Sequence, residues 1–135
     1  PPTPGRKIII SGDNDSPHLL APALESADLW IHEATHTEEA AASLSFRSRH
    51  STAASVSKEA QKHQLKNLIL THFSPRFSIK EYEGRNSMKD IESEASEHFE
   101  EALHFARDFD QYHLSRDKKL TCEYRRQFGK KTKSK

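Results

Sequence analysis

The stretch at residues 67–75, NLILTHFSP, is the part of the sequence around which the rest of the chain is arranged. Its apolar run, residues 68–70, is short and leads into His72, two residues before a Ser-Pro pair breaks the pattern. A run of this length that stops at a breaker is typical of a buried strand. We therefore predict a strand that delivers the imidazole of His72 to the C-terminal edge of a sheet, which makes His72 the first candidate metal ligand.

Two earlier stretches have the same design. Residues 7–10, KIII, lead through Ser-Gly into Asp13, and residues 28–31, DLWI, lead into His32 and Glu33. Taken alone, each group has a structural explanation, since an Asp after Gly often bonds its own backbone in a turn. Open sheets flanked by helices place their ligands beyond the carboxyl ends of the strands. The coincidence of three such strand ends therefore predicts one shared site.

The composition predicts a thin core. The chain has 135 residues, of which 33% are hydrophobic and 30% are charged, and this length fits one domain of ordinary size. The apolar residues are concentrated in the predicted strands, so we expect a core that is shared with another segment or chain. We predict that residues 1–124 form the folded part and that residues 125–135 form a disordered tail.

The charge is unevenly distributed. Residues 125–135 contain six basic residues and no acidic one, so residues 1–124 carry 15 positive and 20 negative charges. A basic arm of this kind can contact nucleic-acid phosphates. The alternative is a frayed terminus that only aids solubility.

The cysteine content and hydropathy bear on the compartment. The single Cys122 excludes an internal disulfide and a zinc site built on cysteine pairs, which favours a reducing, cytoplasmic setting. No apolar run approaches the roughly 18 residues of a membrane span, and the first residues lack the pattern of a signal peptide. We expect a cytoplasmic protein with no membrane partner.

Helix signals lie between the predicted strands and indicate an α/β fold. Ser16 followed by Pro17 predicts a helix start, and the apolar residues 19–27 would pack on the sheet. A second helix is predicted after Ser51 and Thr52, and a third after Ser87. We expect the acidic face of the third helix to be solvated, and a hairpin to turn at residues 115–119; the acidic face comprises Glu92, Glu94, Glu97 and Glu100.

The candidate site residues suit metal-assisted hydrolysis. A carboxylate and a neutral imidazole are ligands for Zn²⁺ or for the harder Mn²⁺, and a carboxylate can bridge two ions, so Asp13 and His72 could serve a two-metal centre. Glu33 and His50 suit a general acid and its orienting carboxylate. The alternative is that Glu33 bridges a loop and that His50 merely precedes a helix.

Four segments, in their order and spacing, resemble a known family. Gly-Asp at 12–13, HEAT at 32–35, HSTAA at 50–54 and LTHFSPRF at 70–77 are similar to the C-terminal half of ribonuclease Z. That family comprises metallo-β-lactamase-fold endonucleases that trim the 3′ end of tRNA precursors. The resemblance covers roughly residues 5–110, and HEAT and HST are its most specific parts. It implies the C-terminal half of an αββα sandwich, with a mixed sheet and flanking helices.

The resemblance also implies roles for individual residues. Asp13 would bridge two zinc ions and His72 would ligate one of them, while Glu33 and His50 would transfer protons. Ser51 and Thr52 would position His50, and residues 74–77 would form a loop near the site. The residues expected to position substrate are Ser51, Thr52, Ser74 and Arg76.

Some features of the sequence depart from the family. Asn14 stands where the family commonly has Thr, and His36 follows the HEAT segment. The motif His-x-His-x-Asp-His of the superfamily is absent. We therefore expect the N-terminal half of the fold to be supplied separately or to have been removed, and the chain alone to be inactive.

The expected partners are that N-terminal half, a pre-tRNA or another phosphodiester, and a second copy in a homodimer. Two other functions remain open. One is hydrolysis of a small phosphodiester or another ester by the same residues, and the other is a non-catalytic nucleic-acid-binding module that uses the basic tail.

Overall fold

The computed structural model describes Pro2 and residues 4–124, and its centre is a parallel four-stranded sheet. The strands are β1 (Ile8–Ile10), β2 (Leu29–Glu33), β3 (Asn67–Thr71) and β4 (Ala102–Phe105), in the spatial order β1-β2-β3-β4. All three neighbouring pairs are parallel. The predicted α/β class is confirmed.

Helices connect these strands, and a hairpin follows them. The helices are α1 (Ala21–Leu24), α2 (Glu38–Ala42), α3 (Ala53–Lys62) and α4 (Met88–His98). Strands β5 (Asp110–Leu114) and β6 (Leu120–Tyr124) form the predicted antiparallel hairpin. In the described part of the chain, parallel and antiparallel pairing therefore occur in two separate sheets instead of one mixed sheet.

Both faces of the two central strands are covered, which explains their continuous apolar runs. On one face, Trp30 and Leu68 are fully buried in a cluster that includes residues of α3 and α4. On the other face, Ile69 is in a cluster with Leu114 and Leu120 of the hairpin. Because β3 is packed on both faces and ends directly before His72, the core fixes the position of His72.

The outer strand β1 is less protected. Ile8 is 46% exposed and Ile10 is 75% exposed. They pair in register with Leu29 and Ile31, so they continue the sheet face on which the hairpin packs. The chain thus leaves an apolar strip uncovered, as its composition predicts.

The first helix differs from its prediction. Residues 17–20 form a 3₁₀ turn and α1 has only four residues, so no continuous helix runs to residue 27. Pro22 lies inside the predicted helix and lacks the amide hydrogen that a helix interior needs. The side chain of Ser16 bonds Asp15 at 2.8 Å instead of capping the helix. Leu19, predicted to pack on the sheet, is 69% exposed.

The prediction that the acidic face of α4 is solvated is wrong at Glu94. The two carboxylate oxygens of Glu94 accept hydrogen bonds from the backbone N–H of Glu38 at 2.8 Å and of Ala54 at 2.9 Å. These amides lie in the first turns of α2 and α3. The carboxylate of Glu94 therefore supplies acceptors to the N-termini of two helices, where the first backbone amides have no acceptor within the helix.

Two predictions lie outside what the structure tests. The basic tail at residues 125–135 falls outside the described residues, so its disorder and the boundary at residue 124 stay predictions. A separate finding concerns membranes. Among the described residues, no helix is both long enough and apolar enough to cross a membrane.

Candidate active site

The ends of β1, β2 and β3 bring the predicted site residues to one edge of the sheet. Ligand atoms of Asp13, His50 and His72 all lie within 4.8 Å of one another. Asp13 Oδ1 is 3.8 Å from His72 Nε2, and Glu33 is the last residue of β2. We call Asp13, His50 and His72 the edge cluster.

The backbone at His72 is in the left-handed region, with φ of 58°. For a residue with a Cβ this conformation costs on the order of 1–2 kcal/mol. The hydroxyl oxygen of Thr35 lies 2.9 Å from His72 Nδ1, and the amide of Ser74 donates to the carbonyl of Thr35 at 3.0 Å. These contacts hold the turn that aims the imidazole of His72 at Asp13.

The hydroxyl of Thr35 also indicates the tautomer of His72. Thr35 Oγ1 lies 2.7 Å from Glu33 Oε2 and 2.9 Å from His72 Nδ1. A carboxylate can only accept, so we assign the hydroxyl proton to the bond with Glu33, and the hydroxyl oxygen then accepts from His72 Nδ1–H. In this arrangement Nε2 of His72, which faces Asp13, carries the free lone pair that a metal ligand needs.

Glu33 is 2% exposed and joins three segments of the chain. Its carboxylate accepts hydrogen bonds from the backbone N–H of Ser51 at 2.6 Å, of Thr35 at 2.9 Å and of Asn14 at 3.4 Å. Together with the hydroxyl of Thr35, every hydrogen-bonding neighbour of this carboxylate is a donor. Glu33 thus ties the HEAT segment to the loop after β1 and to the HST segment.

His50 is the member of the edge cluster that lies next to the carboxylate of Glu33. Its Nδ1 is 3.5 Å from Glu33 Oε1 and has no hydrogen-bond partner in the described part of the chain. Its ring stacks on that of His72, with 5.2 Å between centroids. Because Nδ1 is directed to Glu33, Nε2 is the atom available to a substrate or an ion. The geometry is compatible with the predicted proton donor and also with a third metal ligand.

Ser51 and Thr52 fix the backbone next to His50. The hydroxyl of Ser51 donates to the carbonyl of Asn14 at 2.5 Å. Thr52 caps α3, because its Oγ1 accepts from the amide of Ser55 at 3.0 Å. The proposed roles of Ser51 and Thr52 in positioning His50 and substrate stay predictions.

Ser74 and Arg76 occupy the loop after His72 but differ in environment. Ser74 is buried, and its hydroxyl oxygen accepts from the amide of Arg76 at 3.3 Å. Arg76 is exposed and lines a cavity of 500 Å³ beside His50. Ser74 therefore shapes the loop, and Arg76 is the member of the pair that a substrate can reach.

Asn14, predicted only as a departure from the family, forms side-chain contacts next to the site. Its Oδ1 accepts from the amide of Ser16 at 2.9 Å, and its Nδ2 lies 3.3 Å from Nε2 of His32. Nδ1 of His32 is 2.6 Å from the carbonyl of Glu33, and burial lowers the pKa of His32. His32 is thus a neutral structural histidine. The sequence signal for its partner Asn14 is the position of that Asn directly after the predicted ligand Asp13.

His36 is a second residue whose place the sequence did not reveal. It is 7% exposed, its Nδ1 has no hydrogen-bond partner among the described residues, and its ring lies 6.4 Å from that of His50. Burial, followed by the nearby charges of His50 and Arg76, lowers the pKa of His36. The imidazole is therefore expected to be neutral at pH 7.

Comparison with known proteins relates the chain to ribonuclease Z. The chain is 41% identical over 119 residues to ribonuclease Z of Marinobacter nauticus, covering 88% of this chain and 36% of that protein. It is 39% identical to ribonuclease Z of Pseudomonas putida, covering 87% of this chain and 36% of that one. The chain is therefore similar to ribonuclease Z over most of its own length. A ribonuclease Z from Brevibacillus brevis is 42% identical over 101 residues, which are 73% of this chain and 30% of that protein.

The fold comparison agrees with this assignment. The metallo-β-lactamase fold protein YhfI from Bacillus subtilis superimposes with a TM-score of 0.58 at 18% identity, covering 76% of this chain and 38% of that one. No protein-family model matches the sequence. The predicted resemblance to ribonuclease Z and the predicted metallo-β-lactamase fold are confirmed, and the chain spans about 36% of the length of the first two ribonuclease Z relatives.

Proposed function

We propose that this chain supplies part of the active site of a zinc-dependent endoribonuclease of the ribonuclease Z type, and that the complete enzyme processes the 3′ ends of tRNA precursors. The observation that carries the proposal is the edge cluster, whose ligand atoms lie within 4.8 Å of one another beside the buried carboxylate of Glu33. The sequence relationship to ribonuclease Z supports the choice of substrate.

The donor set fits a divalent ion. Asp13 offers a carboxylate, and His72 offers Nε2 while its Nδ1 is engaged by Thr35. One anionic oxygen donor and one oriented imidazole suit Zn²⁺, with Mn²⁺ as the alternative. Bound in a pair, such ions would supply an acidified water and neutralise charge on a phosphodiester.

The chain's own residues would manage the leaving group. A protonated His50 carries a hydrogen on each ring nitrogen, and Glu33 Oε1 faces its Nδ1 at 3.5 Å. The proton on Nε2 is the one that can pass to the leaving alkoxide, while Glu33 faces the other ring nitrogen and orients the imidazole. Glu33 itself is held by donors from three segments, so the pair is oriented before substrate binds.

Two or three ligands do not complete a two-metal site, so we propose that the remaining ligands come from polypeptide corresponding to the N-terminal half of the fold. The exposed Ile8 and Ile10 extend the apolar face of the sheet and give that polypeptide a surface to cover. We refer to this chain together with the polypeptide that accompanies it in a native purification as the assembled enzyme. A homodimer and a cytoplasmic location stay predictions.

Cleavage of a pre-tRNA that carries a 3′ trailer tests the proposal. We expect the assembled enzyme to cut at the trailer, and Asp13→Asn and His72→Ala to reduce the rate by roughly 10³-fold or more. His113→Ala is the control, because His113 is exposed on the hairpin.

Three outcomes would count against part or all of the proposal. Hydrolysis of a small phosphodiester without pre-tRNA cleavage would favour the alternative substrate class. Binding of RNA without any turnover would favour the non-catalytic module. Wild-type cleavage rates in both site variants would contradict the proposed site.

A further inference from the structure

The cavity that Arg76 lines lies directly beside the edge cluster. It has a volume of 500 Å³ and includes His36 and His50 in its lining. Its other notable residues are Phe46, Arg47, Arg49 and Arg76. We call this cavity the basic pocket.

The basic pocket is lined by positively charged side chains. Arg47, Arg49 and Arg76 contribute guanidinium groups, and no acidic side chain is present among the described residues that line the cavity. Neither Arg49 nor Arg76 has a salt-bridge partner in the described part of the chain. Arg47 pairs with Asp15 at 3.8 Å, but its side chain is 88% exposed and such pairs contribute little. These groups remain available to an anion, and guanidinium groups match phosphate geometry.

The pocket also carries an exposed aromatic ring. Phe46 is 66% exposed and directly precedes Arg47 in the chain. An aromatic face next to cationic side chains is the combination with which proteins hold single-stranded nucleic acid, since the ring stacks on a base while the cations contact the backbone.

The basic pocket is continuous with the metal side of the site. Arg47 and Arg49 also line a cavity of 590 Å³ that contains Asp13. The two cavities therefore share a wall. A chain of phosphodiesters with one unit at the edge cluster would have its neighbouring unit beside these two arginines.

From these observations we propose that the basic pocket binds the nucleotide adjacent to the scissile phosphodiester in a single-stranded segment of RNA. Arg47, Arg49 and Arg76 contact its phosphate, and Phe46 stacks on its base. This inference rests on the proposed function for the location of the scissile bond, but the binding itself requires no catalysis.

Binding of a fluorescein-labelled, single-stranded RNA of about ten nucleotides to the assembled enzyme tests the proposal. The measurement is made by fluorescence anisotropy in the presence of EDTA, over a series of salt concentrations, so that cleavage does not interfere. Arg47→Gln combined with Arg49→Gln should weaken binding by roughly 10-fold or more and reduce the slope of log K against log salt by up to about 0.7, the value for one phosphate of a single strand.

Phe46→Ala should act differently. We expect roughly 5- to 100-fold weaker binding, the range for one stacked base, with the salt slope unchanged. Its control is Phe109→Ala, because Phe109 is also 66% exposed. Arg116→Gln, in the exposed turn of the hairpin, is the control for lost charge. Both controls should bind RNA as the wild type does.

Arg47→Lys combined with Arg49→Lys separates lost charge from misfolding and should retain the wild-type salt slope. Wild-type affinity and slope in the double Gln variant would overturn the proposal, as would equal effects of the controls. A third result would separate the two proposals. If the wild-type enzyme never cleaves pre-tRNA but the variants lose RNA affinity as described, the proposed function is overturned and the proposed RNA-binding site is supported.

Discussion

Glu33 Oε1 accepts a hydrogen bond from the backbone amide of Ser51 at 2.6 Å, which joins the HEAT segment to the HST segment one residue away from His50. The two segments are 18 residues apart in sequence, and a polar connection separates them. This bond fixes the distance between the carboxylate and the imidazole that are proposed to transfer the proton.

Glu33→Gln should destabilise the protein as well as impair turnover. Every hydrogen-bonding neighbour of the carboxylate is a donor, so the amide group of Gln would set an N–H against another donor. Leaving a buried donor unsatisfied costs about 1–3 kcal/mol. Urea unfolding of the assembled enzyme measures this loss, with Glu97→Gln on the exposed side of α4 as the control. Unchanged stability would show that the buried carboxylate is not required by its neighbours.

Thr35→Val should weaken metal binding without removing a ligand. Valine matches threonine in shape but cannot accept from His72 Nδ1–H, which lies 2.9 Å from Thr35 Oγ1. Loss of such a supporting contact typically lowers metal affinity by about 10- to 100-fold. Competition with a chelating dye measures the affinity, and Thr35→Ser, which keeps the hydroxyl, should remain close to the wild type. Equal affinities in the Val and Ser variants would refute the assigned tautomer.

Glu94→Ala should loosen the two helices that follow the active-site segments. It removes the acceptors for the first-turn amides of Glu38 and Ala54. The loss of a helix cap costs about 0.5–2 kcal/mol, and two helix starts are affected here. Hydrogen exchange at those two amides should become faster, whereas Glu97→Ala should leave it unchanged. Equal protection in both variants would mean that Glu94 does not cap these helices.

The elements that could be predicted from the sequence are those whose signals are local. The run at residues 68–70 became β3, and Thr52 caps α3 as expected. The role of Glu94 could not be predicted, because its partners lie 56 and 40 residues away and the nearby acidic residues Glu92, Glu97 and Glu100 suggest a solvated face. The first helix was overestimated because Pro22 interrupts a pattern of apolar residues that otherwise suits a helix.

The site shows the same division between local and distant signals. Asp13 and His72 of the edge cluster were predicted from the strand ends that precede them, and His50 from its place just before α3. The contacts of Asn14 with Ser16 and His32, in contrast, arise only from the folded loop. The basic pocket was missed because Arg47, Arg49 and Arg76 come from two loops that sequence spacing does not bring together.

Asp28 should contribute stability that disappears in acid. Burial raises its pKa, but the salt bridge from Lys118 at 2.8 Å and the hydrogen bond from the amide of Lys7 at 2.7 Å together bring the pKa below its ordinary value of 3.8. The contribution is therefore present above that value and is lost as the pH falls through it and below. In urea unfolding, Asp28→Asn should be less stable than the wild type at neutral pH, and the difference should shrink below roughly pH 5. A difference that does not change with pH would contradict this account.

The metal content of the assembled enzyme, measured by mass spectrometry of the native preparation, tests the central claim most directly. We predict about two zinc ions per assembled enzyme, and loss of zinc in a variant that combines Asp13→Asn with His72→Ala. The variant His113→Ala should retain the metal. A metal-free wild-type enzyme, or a double variant that binds as much zinc as the wild type, would contradict the assignment of the edge cluster as a metal site.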